Sequence, residues 1–305
     1  MGKSDTDTAL GLGIDAGGTQ TRWALADAAG AIVAEGSVAG LSALQMGNAA
    51  GRSAVRATFA ALAGDVLASG RPQRVCAGLT GFGGDSELLV DWLAELLGMD
   101  PVTVIVSNDI EIAYLDSFQP GEGYLVYAGT GSIAAFIDDS GVFHRAGGRG
   151  VTLDDGGGGF WIAREAMRHI WRLEDEEPGA WQRSAMARAV FDHVGGSDWA
   201  LSRQFIYGQE RGAIGRLALA VAASADADPV ARGILEEAGR ELARLALALV
   251  RRHGPRPIAL AGRAATLHPL IALTMRAALP ADLSLTQRDT QAHYAAARIA
   301  LNSLN

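Results

Sequence analysis

The 305-residue chain has one cysteine, Cys76, and nine prolines. A lone thiol excludes an internal disulfide and a cysteine-held metal cluster within the chain. So few prolines, with no three-residue glycine period, exclude a collagen-like fibre. Charged residues make up 20% of the chain and apolar ones 49%, which excludes a disordered linker. No apolar run reaches the ~18 residues of a membrane-spanning helix. The opening MGKSDTDTALGLGID has no apolar signal core followed by a small-residue cleavage site. These absences predict a soluble, cytoplasmic protein without a membrane partner. Positive charge is also in deficit, with 26 Lys and Arg against 34 Asp and Glu and a net charge of −8. That balance weighs against nucleic acid as a partner.

Glycine, by contrast, is abundant: 39 residues, of which 29 precede position 160. That is nearly twice the ~7% of an ordinary protein, and it points to tight turns and close backbone approaches in the first half. The length allows two domains of ~150 residues. Leu10 to Ile14 reads as a buried strand, Trp23 to Ala26 and Ala31 to Ser37 as its hairpin partners, and 47–68 as a helix. Strands follow at 74–79 and 102–106, with a helix at 86–98 between them. A second strand–glycine turn–strand unit, 123–128 with 133–137, repeats the N-terminal pattern and suggests two related halves. Residues 147–159 read as a glycine-dense loop and 160–253 as mostly helix. A strand at 258–260, a helix at 268–278, a short strand at 283–286 and a terminal helix at 291–304 complete the chain. Pro120 and Gly121 break the pattern at 118–121. The predicted domains are therefore 1–118, with the terminal helix packing back on it, and 119–290.

Five segments carry candidate chemistry. In Asp15-Ala16-Gly17-Gly18-Thr19-Gln20-Thr21, adjacent glycines let backbone N–H groups approach a phosphate, and the threonine hydroxyls add donors. Asp15 at the strand end can organise Mg²⁺ through water; the plain alternative is a hairpin turn with an Asp cap. No GxxxxGK[ST] occurs, and no GxGxxG opens a helix. Gly129-Thr130-Gly131-Ser132 repeats the phosphate logic in the second half. Asp109, following Asn108 at a strand's carboxyl end, suits a general base, while a helix N-cap is the competing role. Asp154-Asp155 and the four glycines 156–159 are either a flexible loop or a turn at a helix N-terminus that contacts hydroxyls and anions. Ala261-Gly262 is either a nucleoside platform or a strand-to-helix turn. The six histidines show no metal spacing, and Cys76 reads as core.

In this order the motifs resemble the N-acetylglucosamine kinase branch of the BadF/BadG/BcrA/BcrD family, within the sugar kinase, Hsp70 and actin superfamily, over essentially the whole chain. The first phosphate motif matches at Asp15 to Thr19, the catalytic segment at Asn108-Asp109, the second phosphate motif at Ala128 to Ser132, and the adenosine motif at Ala261-Gly262. GGRGVTLDDGGGGFWI at 147–162 is similar to the branch motif GGWGxxLGDEGSGYWI. It departs at Arg149 for Trp, Asp154 for Gly, Gly156 for Glu and Gly158 for Ser, while Asp155 matches. Gly40-Leu41-Ser42-Ala43 stands where relatives often carry Gly-x-Ser-Asn.

The resemblance implies an α/β fold of two actin-like, ribonuclease H-like domains, with mixed sheets flanked by helices and an active-site cleft between them. It implies ATP and Mg²⁺ as cofactors, a small-molecule sugar as substrate and a homodimer. The implied reaction is phosphoryl transfer to the 6-hydroxyl of N-acetylglucosamine, giving the 6-phosphate and ADP. Asp109 would be the base and Asp15 the Mg²⁺ organiser. Gly17, Gly18, Thr19, Thr21, Gly129, Thr130, Gly131, Ser132, Ala261 and Gly262 would hold the nucleotide. Ser42, Asn108, Thr130, Gly148 and Asp155 would hold the sugar. A glucosamine or glucose kinase and a non-catalytic sugar or ATP sensor are the alternatives, and Asp154 is an extra acid suited to a free ammonium at C2. An iron–sulfur ATPase activator would need more thiols than Cys76 supplies, and the cysteine-rich zinc motif of the repressor/ORF/kinase glucokinases is missing.

Overall fold

The computed structural model describes residues 9–302; positions 1–8 of the opening segment and 303–305, including the last two positions of the expected terminal helix, lie outside the described residues. No described helix is long and apolar enough to cross a membrane. The chain divides into two compact units, residues 1–116 with 290–305, and residues 117–289.

The N-terminal unit opens with a meander of β1 (Gly11–Ala16), β2 (Gln20–Ala26) and β3 (Ile32–Ala39). Then come α1 (Ala49–Ser69), β4 (Arg74–Leu79), α2 (Glu87–Leu97), β5 (Val104–Asn108) and α3 (Asp109–Ser117). The sheet order is β3-β2-β1-β4-β5, with β4 and β5 parallel to β1. Strand alternation gives β1 two different faces. Leu12, Ile14 and Ala16 enter a core with Val55, Phe59 and Leu62 of α1 and Leu93 of α2. Gly11 and Gly13 face the C-terminal helix, Ala292–Asn302. A Cβ at Gly13 would lie 2.0 Å from the His293 carbonyl oxygen, and one at Gly11 would lie 2.5 Å from that of Ala297. The terminal helix therefore rests on bare strand backbone, which only glycine permits. Cys76 is buried on that side beside Ile112, Ala296 and Ala300, and burial pushes its thiol up to about 12.

The second unit carries β6 (Tyr124–Ala128), β7 (Ser132–Ile137) and β8 (Phe143–Gly147). Helices α4 (Gly159–Glu176), α5 (Ala185–Val194), α6 (Trp199–Gly208), α7 (Arg211–Gly215), α8 (Leu217–Ser224) and α9 (Pro229–His253) follow. Then come β9 (Ile258–Ala261), α10 (Pro269–Ala278) and β10 (Leu285–Gln287). The sheet order is β8-β7-β6-β9-β10. Its first three strands are antiparallel and β9 and β10 run parallel to β6, so the two sheets share one topology. β8 is not among the strands expected from the sequence. Its residues FHRAG form no apolar run and only Ala146 is buried, and they become strand by pairing along β7 from Ile137 to Ile133, a tertiary contact that propensity does not carry.

Gly13→Val should cost roughly 2–4 kcal/mol, the scale of a core clash that backbone cannot relieve. Urea unfolding monitored with limited proteolysis should show the C-terminal helix cleaved first.

Candidate functional site

In the N-terminal unit the parallel strands bring three loops to one end of the sheet. Asp15 sits near the carboxyl end of β1, half-buried, with the Arg22 guanidinium 3.8 Å from its carboxylate. The β1–β2 turn is closed by Gly17 N–H on the Gln20 carbonyl at 3.1 Å, and Leu41 N–H reaches the Gly17 carbonyl at 3.1 Å. Gly18 and Thr19 are exposed, and nothing lies within 4 Å of a Cβ placed at Gly18. That turn has open backbone of the kind a phosphate needs. Gly40 packs on it from behind, since a Cβ there would lie 2.5 Å from Gly18 backbone.

Asp109 is the first residue of α3. It comes close to β4 because Gly78 has no side chain: a Cβ at that position would lie 3.1 Å from the Asp109 Cα. The Asn108 side-chain carbonyl accepts Ile110 N–H at 2.9 Å and the Asp109 carboxylate accepts the same N–H at 3.0 Å; the Asn108 amide nitrogen lies 3.5 Å from the Phe82 carbonyl. Burial, reinforced by the Asp15 charge, pushes the Asp109 carboxyl up to about 6 against a Thr80 side-chain hydrogen bond that lowers it. Thr80 is a neighbour of Asp109 that sequence reasoning missed. Its N–H donates to the Ala16 carbonyl at 2.9 Å and its carbonyl accepts Ala43 N–H at 3.0 Å, so it joins the ends of β1 and β4 to the segment after β3. The available signal was its place at the carboxyl end of a parallel strand, next to the strand that leads to Asp109.

In the second unit the corresponding turn is closed by Gly129 N–H on the Gly131 carbonyl at 2.9 Å. Thr130 is exposed. The start of α4 is fastened to this turn by Gly159 N–H on the Gly129 carbonyl at 2.8 Å and Phe160 N–H on the Thr130 carbonyl at 2.9 Å. Gly148, at φ +62°, donates to the Ser132 carbonyl at 3.0 Å. Asp155 is 7% exposed and is the one non-glycine with positive φ among the described residues, at +57°. Its carboxylate accepts Gly150 N–H at 3.0 Å and lies 2.2 Å from where a Cβ on Gly131 would be. Burial raises the Asp155 carboxyl against backbone donors from Gly150 and Arg149 and the Arg211 charge.

Five of the expected ligand residues have packing or capping roles in the structure. Thr21 is fully buried inside β2, where strand alternation turns it into the core. Ser132 is buried and spends its hydroxyl on the Gly156 carbonyl at 2.7 Å. Ala261 is a wholly buried residue of β9, and Gly262 at φ +96° is needed for close packing, because a Cβ would lie 2.4 Å from the Ala128 carbonyl oxygen. Ser42 forms a capping box with Gln45 and also donates to the Thr80 carbonyl at 3.2 Å. Asp154 is likewise committed, to Arg244 at 3.1 Å.

Among the described residues, no group of three or more His, Cys, Asp and Glu side chains could enclose a metal. The donor set fits a Mg²⁺ that keeps several waters and takes its remaining ligands from phosphates, with Asp15 as the protein carboxylate.

This duplicated mixed-sheet fold is the fold of several sugar kinases. A protein from Chromobacterium violaceum provisionally named N-acetylglucosamine kinase superposes with a TM-score of 0.70 at 26% identity, over 98% of this chain and 100% of that one. One from Porphyromonas gingivalis, provisionally given the same name, reaches 0.76 at 18% identity over 96% and 99%. A ROK-family glucokinase from Streptomyces griseus shares the fold at 0.63 and 17% identity, over 96% and 100%. The model of the BadF/BadG/BcrA/BcrD ATPase family matches residues 12–275, and the chain belongs to that family. It is 32% identical over 106 residues to the N-acetyl-D-glucosamine kinase of Dictyostelium discoideum, covering 33% of each chain. It is 29% identical over 161 residues to the N-acetylmuramic acid/N-acetylglucosamine kinase of Clostridium acetobutylicum, covering 52% of this chain and 51% of that one. The matched segments thus span about a third and about half of the lengths of these two relatives.

Two stability effects are expected. The folded Asp109 pKa of about 6 lies above the ordinary 3.8, so stability falls as pH rises from about 4 to about 6 and the buried carboxyl ionises, a loss that Asn would not suffer. Asp109→Asn should therefore be more stable than wild type by roughly 1–3 kcal/mol at pH 8, since each pH unit separating the folded and unfolded pKa is worth ~1.4 kcal/mol. The gap should close below pH ~4. Asp155→Asn should unfold near the wild-type denaturant midpoint, whereas Asp155→Ala should lose about 1–2 kcal/mol, the cost of left-handed backbone for a residue that cannot bond locally.

Proposed function

We propose that the protein is an ATP-dependent sugar kinase that phosphorylates the 6-hydroxyl of N-acetylglucosamine, giving N-acetylglucosamine 6-phosphate and ADP. The observation that carries the reading is Asp109. It is half-buried at the start of α3, just after β5, and bonded by Thr80, with a pKa near 6 that keeps it ionised yet basic at neutral pH. Family membership and the similarity to two N-acetylglucosamine-phosphorylating relatives support the chemistry and the substrate.

Asp109 accepts the proton of the sugar hydroxyl as that oxygen attacks the terminal phosphoryl group. Bound Mg-ATP supplies the phosphoryl group and the cation that offsets its developing charge. Gly17, Gly18 and Thr19 offer N–H and hydroxyl donors to phosphate oxygens, and Gly129, Thr130 and Gly131 repeat the same kind of donor set in the second unit. Asp15 orients water around the cation. Asn108 in the N-terminal unit, and Gly148 and Asp155 in the second unit, are each suited to sugar hydroxyls. The choice of N-acetylglucosamine over glucosamine follows from Asp154: with its carboxylate already on Arg244, it is not offered to a free ammonium.

Coupled ADP release with a panel of hexoses and amino sugars tests the assignment. N-acetylglucosamine should give the highest kcat/KM, and Asp109→Ala should lower kcat by at least about 10²–10⁴, the contribution of a positioned base, while ATP binding is kept. In wild type, kcat/KM should fall as pH drops below about 6, where Asp109 takes up its proton. Near-normal turnover in Asp109→Ala would refute the role of Asp109. ATP or sugar binding without any turnover in wild type would favour a sensor.

A further inference from the structure

Building on the reading of Asp155 as a sugar contact, we infer that Arg244 and Glu241 of α9 are positioning residues that hold Asp155 through its neighbours in the glycine loop. Asp155 is kept in a left-handed conformation and is followed by four residues with no side chains of their own to anchor. Tethers from its own sheet, such as Ser132 on the Gly156 carbonyl, fix one side of the loop. The other side lies on α9. A Cβ at Gly157 would be 2.8 Å from the Ala238 carbonyl oxygen, and one at Gly156 would be 2.6 Å from Glu241 Oε2. The Glu241 carboxylate thus occupies the space that any side chain at 156 would need.

Arg244 completes the arrangement. Its Nε donates to Glu241 Oε2 at 2.7 Å, and its Nη2 lies 3.1 and 3.3 Å from the two carboxylate oxygens of Asp154. One guanidinium therefore links a helix carboxylate to a loop carboxylate immediately before Asp155. A planar guanidinium suits this better than an ammonium, because two edges of one rigid fork face two acceptors. Two departures of the loop from its family motif become a matched pair. The side chain missing at 156 leaves room for Glu241, and the acid gained at 154 meets Arg244. One turn earlier on α9, Arg240 and Glu237 make the same i, i+3 pair at 2.6 Å and serve as an internal control.

The test uses full-length enzyme and two readouts: steady-state KM for N-acetylglucosamine and for ATP, and hydrogen exchange of peptides covering 148–158. Arg244→Ala and Asp154→Ala should each raise the sugar KM about threefold to fivefold, the scale of a half-exposed ion pair, with the ATP KM unchanged. The double variant should be no worse than either single one, because both remove the same link. Arg244→Lys should recover part of the loss, and Arg240→Ala should behave as wild type. Exchange over 148–158 should be faster in Arg244→Ala. Unchanged exchange, additive effects in the double variant, or an equal rise in both KM values would overturn the inference. If wild type releases no ADP with any sugar, the kinase reading falls, and the exchange comparison still decides whether Arg244 holds the loop.

Discussion

The proposed kinase chemistry depends on a carboxylate that its own surroundings resist ionising. Asp109 is pressed upward in pKa by burial and by Asp15, and the Thr80 side chain pulls the other way. A base that stayed at an ordinary carboxylate pKa would draw a proton from a hydroxyl less well; one raised much further would already be protonated at neutral pH. In the proposed chemistry Thr80 therefore counts as much as Asp109. The backbone bonds that fix Thr80 to Ala16 and Ala43 tie the surroundings of Asp109 to the end of β1 and to the segment after β3.

Both units solve the same geometric problem in the same way. A turn that offers N–H groups to an anion must be supported closely from behind, and support by backbone is closer than support by side chains. Gly40 behind Gly18, Gly158 behind Gly131 and Gly262 behind Ala128 are instances of one device. Duplicated topology places the device twice. It does not duplicate the chemistry: β5 leads into Asn108-Asp109, whereas β10 ends at Gln287 followed by Arg288. The proposed base belongs to the N-terminal unit alone.

Much of this was legible from residue order. The two glycine turns, the acid after the strand that ends at Asn108 and the repeated hairpin could be read directly, because each depends on local chain geometry. β8 could not, since FHRAG is strand only by virtue of β7. Nor could the fates of Thr21, Ser132 and Ala261. A hydroxyl or a small residue in a motif looks like a contact until burial shows which way the strand has turned it. Asp154 is a similar case: an acid in a glycine loop reads as a free group, and only the fold brings Arg244, 90 residues away in sequence, onto its carboxylate.

The sequence alone determined where backbone is bare and where charge lies, and hence the turns, the candidate base and the family. Tertiary structure decided which of those groups remain available. Availability depends on neighbours brought together from distant parts of the chain: Gly78 admitting Asp109, Thr80 bonding it, and Glu241 filling the space left at Gly156. Free energies of burial and hydrogen bonding are set by such contacts, and they do not follow from the order of residues along one strand.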